Sequence, residues 1–120
     1  MIVGVTNDPI FGPVVLCGAG GVMVELLKDA SVRIAPLTDV DAAEMITSLK
    51  TYQALAGYRG GPATDVRVLK EIVLRAASLA QDLPDVAELD LNPLIMQPAG
   101  EGAVLVDARA RVERRGARQA

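Results

Sequence analysis

Two stretches near the carboxyl end constrain the fold most strongly: ELDLNPL, from Glu88 to Leu94, and AVLVDAR, from Ala103 to Arg109. Apolar and polar residues alternate in both, which is the pattern of half-buried β-strands. The polar positions carry even numbers in the first stretch and odd numbers in the second. Because directly opposite residues of an antiparallel pair share a face, each even position must pair with an odd one. The two stretches therefore predict a hairpin with a restricted set of registers.

A short loop selects one of these registers. If residues 98–101 close the hairpin, Gln97 pairs with Gly102, and the same register sets Asn92 opposite Asp107. The Cβ atoms of such a pair lie roughly 4.5–5.5 Å apart, so an amide oxygen and a carboxylate can share one metal ion. Mg²⁺ takes oxygen ligands, commonly carboxylates together with substrate phosphates and water. The pattern therefore predicts Asn92 and Asp107 as Mg²⁺ ligands, with Asp90 on the same face.

Two plainer interpretations of these residues remain open. A half-buried strand often has a polar face simply because that face is solvated. Asn92-Pro93 can also mark a strand-ending bend, because the residue before a proline is pushed towards extended geometry and Pro93 cannot donate a ladder hydrogen bond. The coincidence of register with oxygen-donor chemistry favours the metal site.

Several further motifs accompany this hairpin, and together they resemble a known family. They are DPIFGPVVLCGAGGVMVELLKD at 8–29, IAPL at 34–37, GYRG at 57–60, ELDLNPL and VDAR. In this order they resemble the carboxyl-terminal part of the ATP-grasp domain of NDP-forming acyl-CoA synthetases. That group includes ADP-forming acetyl-CoA synthetase and is related to the succinyl-CoA synthetase β chain. The resemblance covers about residues 2–112.

The resemblance implies a role for each residue of the hairpin. Asn92 and Asp107 would bind Mg²⁺ beside the phosphates of ATP or ADP, and Asp90 would act near the same phosphates, bridging to them or to groups around the metal. The implied activity converts acyl-CoA, phosphate and NDP reversibly into carboxylate, CoA and NTP, through an acyl phosphate and a phosphorylated histidine. The chain contains no histidine. The phosphorylated residue must therefore lie on another domain or subunit.

The resemblance also implies partners. A complete ATP-grasp unit closes two lobes over its nucleotide, and the family places the adenine pocket and a phosphate-contacting lysine in the lobe that precedes this segment. We therefore expect residues 1–112 to form one lobe, with a charged tail at 113–120. Its partners would be the N-terminal ATP-grasp lobe and a CoA-binding and CoA-ligase domain or subunit. An apolar face left uncovered by the other lobe would also allow a dimer.

A second function stays open beside the catalytic lobe. ATP-grasp-like regions are also found fused to protein acetyltransferases, so the chain can be a non-catalytic interaction or regulatory module. The presence of Asp90, Asn92 and Asp107 together favours the catalytic lobe, because a degenerate module has no reason to keep metal ligands. The start of the chain inside what resembles a strand favours the module, or a piece of a longer protein.

Other candidate residues lie outside the hairpin. Gly18, Gly20 and Gly21 would let the backbone approach a ligand or a phosphorylated loop, although GAGG is not a Walker A motif and also fits a tight turn. Glu25, within the apolar run VMVELL, is interpreted either as a carboxylate near the metal or the phosphohistidine, or as the exposed side of an element. Arg59, in GYRG, is interpreted either as a phosphate ligand or as a surface arginine.

The remaining pattern predicts an α+β fold, in which a mostly antiparallel sheet carries two helices on one face. Strands are expected at 2–6, 13–17 and 31–35, and residues 22–27 fit either a strand or a helix. Thr38 with Asp41 predicts a capping box for the first helix, whose buried stripe is Ala42, Met45, Ile46 and Leu49. Asp65 is expected to cap the second helix, whose buried face is Leu69, Ile72, Val73, Ala76, Leu79 and Ala80.

Composition excludes several other functions. A net charge of −3 and an aromatic set limited to Phe11, Tyr52 and Tyr58 argue against nucleic-acid binding. The absence of histidine argues against zinc sites and histidine catalysis, and Cys17, the single cysteine, is expected to be a small buried hydrophobe. With no apolar run of about 18 residues and no leader pattern, we expect no membrane span and a cytoplasmic protein.

Overall fold

The computed structural model describes residues 1–19, 29–57 and 62–114 of the chain. These ranges contain three helices, which we call α1 (Asp39–Thr47), α2 (Tyr52–Leu55) and α3 (Val66–Asp82). They also contain seven strands: β1 (Ile2–Asp8), β2 (Gly12–Gly18), β3 (Ala30–Ile34), β4 (Val86–Leu91), β5 (Leu94–Met96), β6 (Ala103–Leu105) and β7 (Ala108–Val112). Residues 22–27 and 115–120, for which the sequence raised expectations, lie outside the described residues.

Five of the strands form one antiparallel sheet in the order β3-β2-β1-β4-β7, and β5 and β6 form a separate two-stranded sheet. Strand β1 therefore lies at the centre, between its hairpin partner β2 and the distant strand β4. Helices α1 and α3 pack on one face of the large sheet. The predicted α+β fold is confirmed, and none of the described helices packs on the other face of the sheet, which we call the open face.

Alternation along the central strands builds the core on the helical face. Val3 and Val5 of β1 lie opposite Cys17 and Val15 of β2, and all four side chains are buried. Burial raises the pKa of the Cys17 thiol to about 12, so it stays protonated and packs as the expected small hydrophobe.

The predicted start of α1 is confirmed in atomic detail. The Thr38 hydroxyl accepts a hydrogen bond of 3.1 Å from the Asp41 amide, and the Asp41 carboxylate accepts one of 2.9 Å from the Thr38 amide. These reciprocal bonds satisfy two amides that a helix start leaves without partners. The predicted stripe of Ala42, Met45, Ile46 and Leu49 is buried.

Helix α3, the second of the two predicted helices, differs from expectation at both ends. Asp65 stands at the start of α3, but its carboxylate makes no capping bond and instead accepts from the Gly102 amide. Near the other end Leu79 is 38% exposed and Ala77 is buried. Ile72 is half-buried, so the buried stripe is turned towards Ala77 and away from Leu79, while the rest of the predicted face is buried. The short helix α2 was also not predicted.

Strand β1 continues to Asp8, two residues beyond the strand expected at 2–6, and so includes Asn7. Asn7 is buried within β1, and its side-chain amide donates 2.9 Å hydrogen bonds to the carbonyls of Ala80 and Val86. It thereby joins the central strand to the carboxyl end of α3 and to the first residue of β4. The turn begins at Asp8, whose carboxylate accepts from the amides of Ile10 and Phe11.

Asp29, the residue before β3, is hydrogen-bonded to the turn between α1 and α2. Its carboxylate accepts hydrogen bonds from the Lys50 amide, the Thr51 amide and the Thr51 hydroxyl. Burial opposes ionisation of this carboxyl group, but the hydrogen bonds from Thr51 and Lys50 outweigh it and hold its pKa below the ordinary value of 3.8.

We expect this contribution to stability to depend on acid. Since the folded-state pKa is lowered, the stabilisation is fully present above the unfolded value and is lost as the pH falls through the folded value. Asp29→Asn should therefore lower the free energy of unfolding at pH 7, and by a smaller amount at pH 3, which lies below the unfolded value. Urea titrations at both pH values measure this, and a difference that does not change with pH would refute it.

None of the helices in the described ranges is long and apolar enough to cross a lipid bilayer.

Candidate functional site

The hairpin predicted from alternation is present with the predicted register. Leu91 pairs with Ala108 in the large sheet and Leu94 pairs with Leu105 in the small one, so the same register holds on both sides of the gap. At the closed end the Gln97 amide donates a 3.0 Å hydrogen bond to the Gly102 carbonyl. The register that places Asn92 opposite Asp107 is therefore confirmed.

Asn92 and Asp107 lie where the hairpin leaves the large sheet. The Asn92 amide donates to the Asp107 carbonyl at 3.1 Å, and the Val106 amide donates to the Pro93 carbonyl at 3.0 Å. Pairing thus continues across the gap between β4–β7 and β5–β6. Pro93 has no N–H group and cannot extend the regular ladder, which is consistent with the end of β4 at Leu91.

Asp90 and Arg109 lie on the open face of the sheet, on the side opposite the described helices. Asp107 Oδ2 lies 3.7 Å from Arg109 Nε, and Arg109 is the cross-strand partner of Asp90. Asn92 is two residues from Asp90 in sequence and directly follows β4, which ends at Leu91. Asp90, Asn92 and Asp107 are all exposed. The structure therefore brings together the residues predicted to serve the metal and the phosphates.

Chemical character changes from one side of this face to the other. Two cross-strand rows define it: Val32, Leu16, Gly4, Asp90 and Arg109 in one, and Ile34, Val14, Thr6, Glu88 and Arg111 in the other. The β2–β3 side is apolar and the β4–β7 side is charged. An open depression of about 440 Å³ lies on this face, lined by residues that include Gly4, Leu16, Val32 and Asp90. Its volume is in the range of small-molecule sites, which is about 300–1,000 Å³.

Gly4 deepens the middle of this depression. A Cβ atom built at this position would meet only the Leu89 carbonyl oxygen within 4 Å, at an ordinary contact distance of 3.6 Å. The backbone therefore does not require glycine here, and its effect is to leave space on the open face. The sequence analysis did not identify Gly4. Its even position in the alternating run IVGVT places it on the other face of the strand from Val3 and Val5.

The charges on the open face are unequally paired. Glu88 and Arg111 form an ion pair at 3.3 Å, whereas the Asp90 carboxylate has no hydrogen bond or ion pair within the described ranges. The 3.7 Å contact between Asp107 and Arg109 joins side chains that are 55% and 83% exposed. Such surface pairs contribute about 0–1 kcal/mol, so a divalent cation can displace Arg109 from Asp107.

The donor set fits Mg²⁺. Asn92 offers an amide oxygen and Asp107 a carboxylate, both hard oxygen donors open to solvent. In the described part of the chain no group of three or more acidic, cysteine or histidine side chains is close enough to hold a metal ion alone. A site with two protein oxygens needs phosphate and water to complete its shell, which is the usual situation for Mg²⁺.

The other candidate residues are divided by where they fall in the chain. Gly18 is buried at the end of β2 and pairs with Ile2, in the cross-strand row next to that of Gly4. Gly20, Gly21, Glu25 and Arg59 lie outside the described residues. Their roles stay predictions.

Fold and site together define a class. The described residues combine an antiparallel sheet, helices on one face, an open hollow on the other and oxygen donors at one edge. The chain matches the model of the ATP-grasp domain family over residues 1–112. It belongs to the ATP-grasp family.

The curated relatives are acid–CoA ligases. The β subunit of ADP-forming acetate–CoA ligase II from Pyrococcus furiosus is 47% identical over 110 residues, which are 91% of this chain and 47% of that subunit. The ADP-forming 4-hydroxybutyrate–CoA ligase from Nitrosopumilus maritimus is 40% identical over 109 residues, covering 91% of this chain and 16% of that enzyme. The chain thus spans about half, or less, of the length of the relatives it matches.

Two solved structures share this fold. One is acetyl-coenzyme A synthetase 1 from Candidatus Korarchaeum cryptofilum, in complex with coenzyme A and Mg-AMPPCP and with its phosphohistidine segment pointing towards the nucleotide-binding site. It matches with a TM-score of 0.84 and 43% identity over 93% of this chain and 52% of that one. A Pyrococcus horikoshii protein matches with a TM-score of 0.85 and 41% identity over 95% of this chain and 48% of that one.

Proposed function

We propose that this chain is one lobe of the ATP-grasp domain of an NDP-forming acyl-CoA synthetase. Together with the N-terminal lobe it would bind Mg-ADP or Mg-ATP, and a CoA-binding and CoA-ligase domain or subunit would supply the acyl-CoA and the phosphorylated histidine. The complete protein would convert acyl-CoA, phosphate and NDP into carboxylate, CoA and NTP. With a single cysteine and this chemistry, the proposal includes a cytoplasmic location.

One observation carries this proposal. Asn92 lies opposite Asp107, joined to it by a backbone hydrogen bond, and both border the open face on which Asp90 is exposed. A solvated polar strand face requires no such convergence of oxygen donors. The relatives that share the fold are ADP-forming ligases, and one of them was solved with a magnesium nucleotide.

The residues of the open face would bind and align the nucleotide. Asn92 and Asp107 would hold Mg²⁺, which neutralises charge on the transferring phosphoryl group. Phosphoryl transfer depends mainly on positioning and on charge stabilisation, so a fixed pair of ligands on a rigid hairpin is sufficient for this role. The apolar side of the depression, with Leu16 and Val32, offers a surface for the less polar part of the ligand.

Asp90 would act beside the same phosphates, at the point where the phosphorylated histidine approaches them. Its carboxylate has no partner in the described ranges and lies two residues from Asn92. A carboxylate there can accept a hydrogen bond from an imidazole N–H and so orient the ring for phosphoryl transfer. It would also favour the protonated form of the phosphorylated ring, from which the phosphoryl group departs to leave a neutral imidazole.

A hybrid protein tests the proposal. In the chimeric subunit the segment of the Pyrococcus furiosus β subunit that matches this chain is replaced by residues 1–112. Calorimetric titration of the chimeric subunit with Mg-ADP should show saturable binding, and mixing it with the other subunit of that ligase should restore ATP formation from acetyl-CoA. A chimeric subunit that folds but binds no Mg-ADP would favour the non-catalytic module.

Filling the depression should weaken nucleotide binding without unfolding the protein. Gly4→Val places a β-branched side chain on the open face, where its Cβ is tolerated and strand propensity favours it. We expect at least about tenfold weaker Mg-ADP binding by the chimeric subunit, since one displaced contact of this kind is worth about 1–3 kcal/mol. Ala110→Val, on β7 away from the depression, is the matched control. Equal affinities in the two variants would show that the depression does not bind the nucleotide.

A further inference from the structure

Asp65 is a buried acid with an unexpected set of partners. It is 4% exposed, and Asn7 is the other buried polar or charged residue of the described ranges. A buried carboxylate is costly unless it is hydrogen-bonded. Although Asp65 stands at the start of α3, its side chain makes no bond to that helix. The cost of burial is therefore offset by an interaction elsewhere.

That interaction is with the closed end of the hairpin. Asp65 Oδ2 accepts a 2.8 Å hydrogen bond from the Gly102 amide, and the Asp65 amide donates a 2.9 Å bond to the Gln97 carbonyl. Gln97 and Gly102 are the residues that pair across the loop, so Asp65 contacts both arms of the hairpin. Hydrogen bonds to charged acceptors are shorter and about twice as strong as neutral ones.

The backbone around Asp65 ties the loop to the helical layer. The Asp65 carbonyl accepts from the Val68 and Leu69 amides in the first turn of α3. The two residues before Asp65 also contact the loop: the Ala63 carbonyl accepts from the Ala99 amide, and Thr64 forms an isolated bridge with Pro98. Asp65 thus belongs to the rigid frame of α3 while it contacts the hairpin loop.

Strands β5 and β6 are not part of the large sheet, so attachments of this kind position the hairpin, and the Asp65 carboxylate contributes the bond to Gly102. Their other fixed point is at the opposite end, where Leu94 exchanges two backbone hydrogen bonds with Met1, next to Asn92 and Asp107. An arm held at both ends has one orientation, whereas an arm held at one end only can pivot about that end. That end carries Asn92 and Asp107, so a pivoting hairpin would change their relative position.

We propose that Asp65 is a positioning residue for the metal site, setting the relative position of Asn92 and Asp107 by bracing the far end of their hairpin. This inference rests on the proposed function in naming Mg²⁺ as the ligand. The brace itself is independent of it. Asp65 does not touch the metal or the nucleotide and acts through the hairpin.

The first test measures the brace without any ligand, in the full chain. Amide hydrogen exchange followed by NMR should accelerate at Gly102 in Asp65→Ala, because its acceptor is removed. It should also accelerate at least about tenfold at Asn92 and Val106, the amides that bond across the metal end of the hairpin. Asp65→Asn keeps one side-chain oxygen as an acceptor and should restore most of the protection.

The second test measures the metal. In the chimeric subunit, Asp65→Ala should raise the Mg²⁺ concentration needed for half-maximal Mg-ADP binding by about 10- to 100-fold, the range found when groups that orient metal ligands are removed. Asp65→Asn should stay close to the parent. Asn7→Ala is the matched control, because it removes another buried hydrogen-bonding side chain at the opposite end of α3.

The outcomes separate the inference from the proposed function. If Asp65→Ala frees Gly102 but leaves Asn92 and Val106 protected, or if Asn7→Ala weakens Mg²⁺ dependence equally, the positioning role is wrong. If the parent chimeric subunit binds no Mg-ADP, the proposed function is wrong, and the exchange rates at Asn92 and Val106 still decide whether the brace exists. Accelerated exchange together with a selective loss of Mg²⁺ affinity supports both.

Discussion

Asp107→Ala in the chimeric subunit is expected to lower ATP formation by at least about 100-fold, because loss of a metal-held charge stabilisation costs several kcal/mol in the transition state. Asn92→Ala should act in the same direction, since Asn92 and Asp107 lie opposite each other across the hairpin. Both residues are exposed, so neither change opens a cavity. The measurement is initial rate as a function of Mg²⁺ concentration, with circular dichroism to confirm the fold.

Glu101→Ala is the matched control for these two variants. Glu101 is an exposed acid on the same hairpin, in the loop at the opposite end from Asn92 and Asp107. It changes the net charge as Asp107→Ala does, and its turnover should stay within about twofold of the parent, as expected for surface changes. If Asp107→Ala and Asn92→Ala also retained near-parental rates, neither residue would be a metal ligand.

Leu69→Ala is expected to destabilise the chain by about 2–5 kcal/mol, the range for leucine side chains deleted from a packed core. Leu69 is fully buried in the first half of α3, within the cluster that joins the helices to the central strands. Because domains of this size have a net stability of about 5–15 kcal/mol, this is a large share of the total. The midpoint of urea unfolding should fall accordingly, with little change in the slope.

Leu83→Ala is the control for this change. Leu83 follows the last residue of α3 and is 52% exposed, so the same chemical change removes little buried surface. Its unfolding midpoint should shift much less than that of Leu69→Ala. Equal shifts would mean that α3 is not packed against the sheet as described.

Local patterns predicted the elements whose partners are close in sequence. The Thr38–Asp41 capping box follows from two residues three positions apart, and both of its bonds are present. The pairing of Asn92 with Asp107 follows from strand parity and a short loop, because a slip of one residue would turn every side chain to the wrong face. This is why the pairing at the centre of the candidate site could be predicted from the sequence alone.

Contacts between distant segments could not be predicted in this way. No local pattern indicates that β1 inserts between β2 and β4, and this order creates the open face where Gly4 lies beside Asp90. Asp65 has the sequence signature of a helix cap, but its carboxylate accepts a hydrogen bond from the Gly102 amide instead of capping α3. Asn7 likewise has the sequence of a turn residue and is buried by contacts with α3 and β4.

The position of a bound metal ion tests the central claim most directly. Crystals of the chimeric subunit grown with Mn²⁺ and ADP would give an anomalous difference peak at the metal. We expect that peak about 2.0–2.2 Å from a side-chain oxygen of Asn92 and from one of Asp107, with phosphate oxygens completing the shell. A nucleotide-bound metal that contacts neither side chain would contradict the assignment of this hairpin as the metal site.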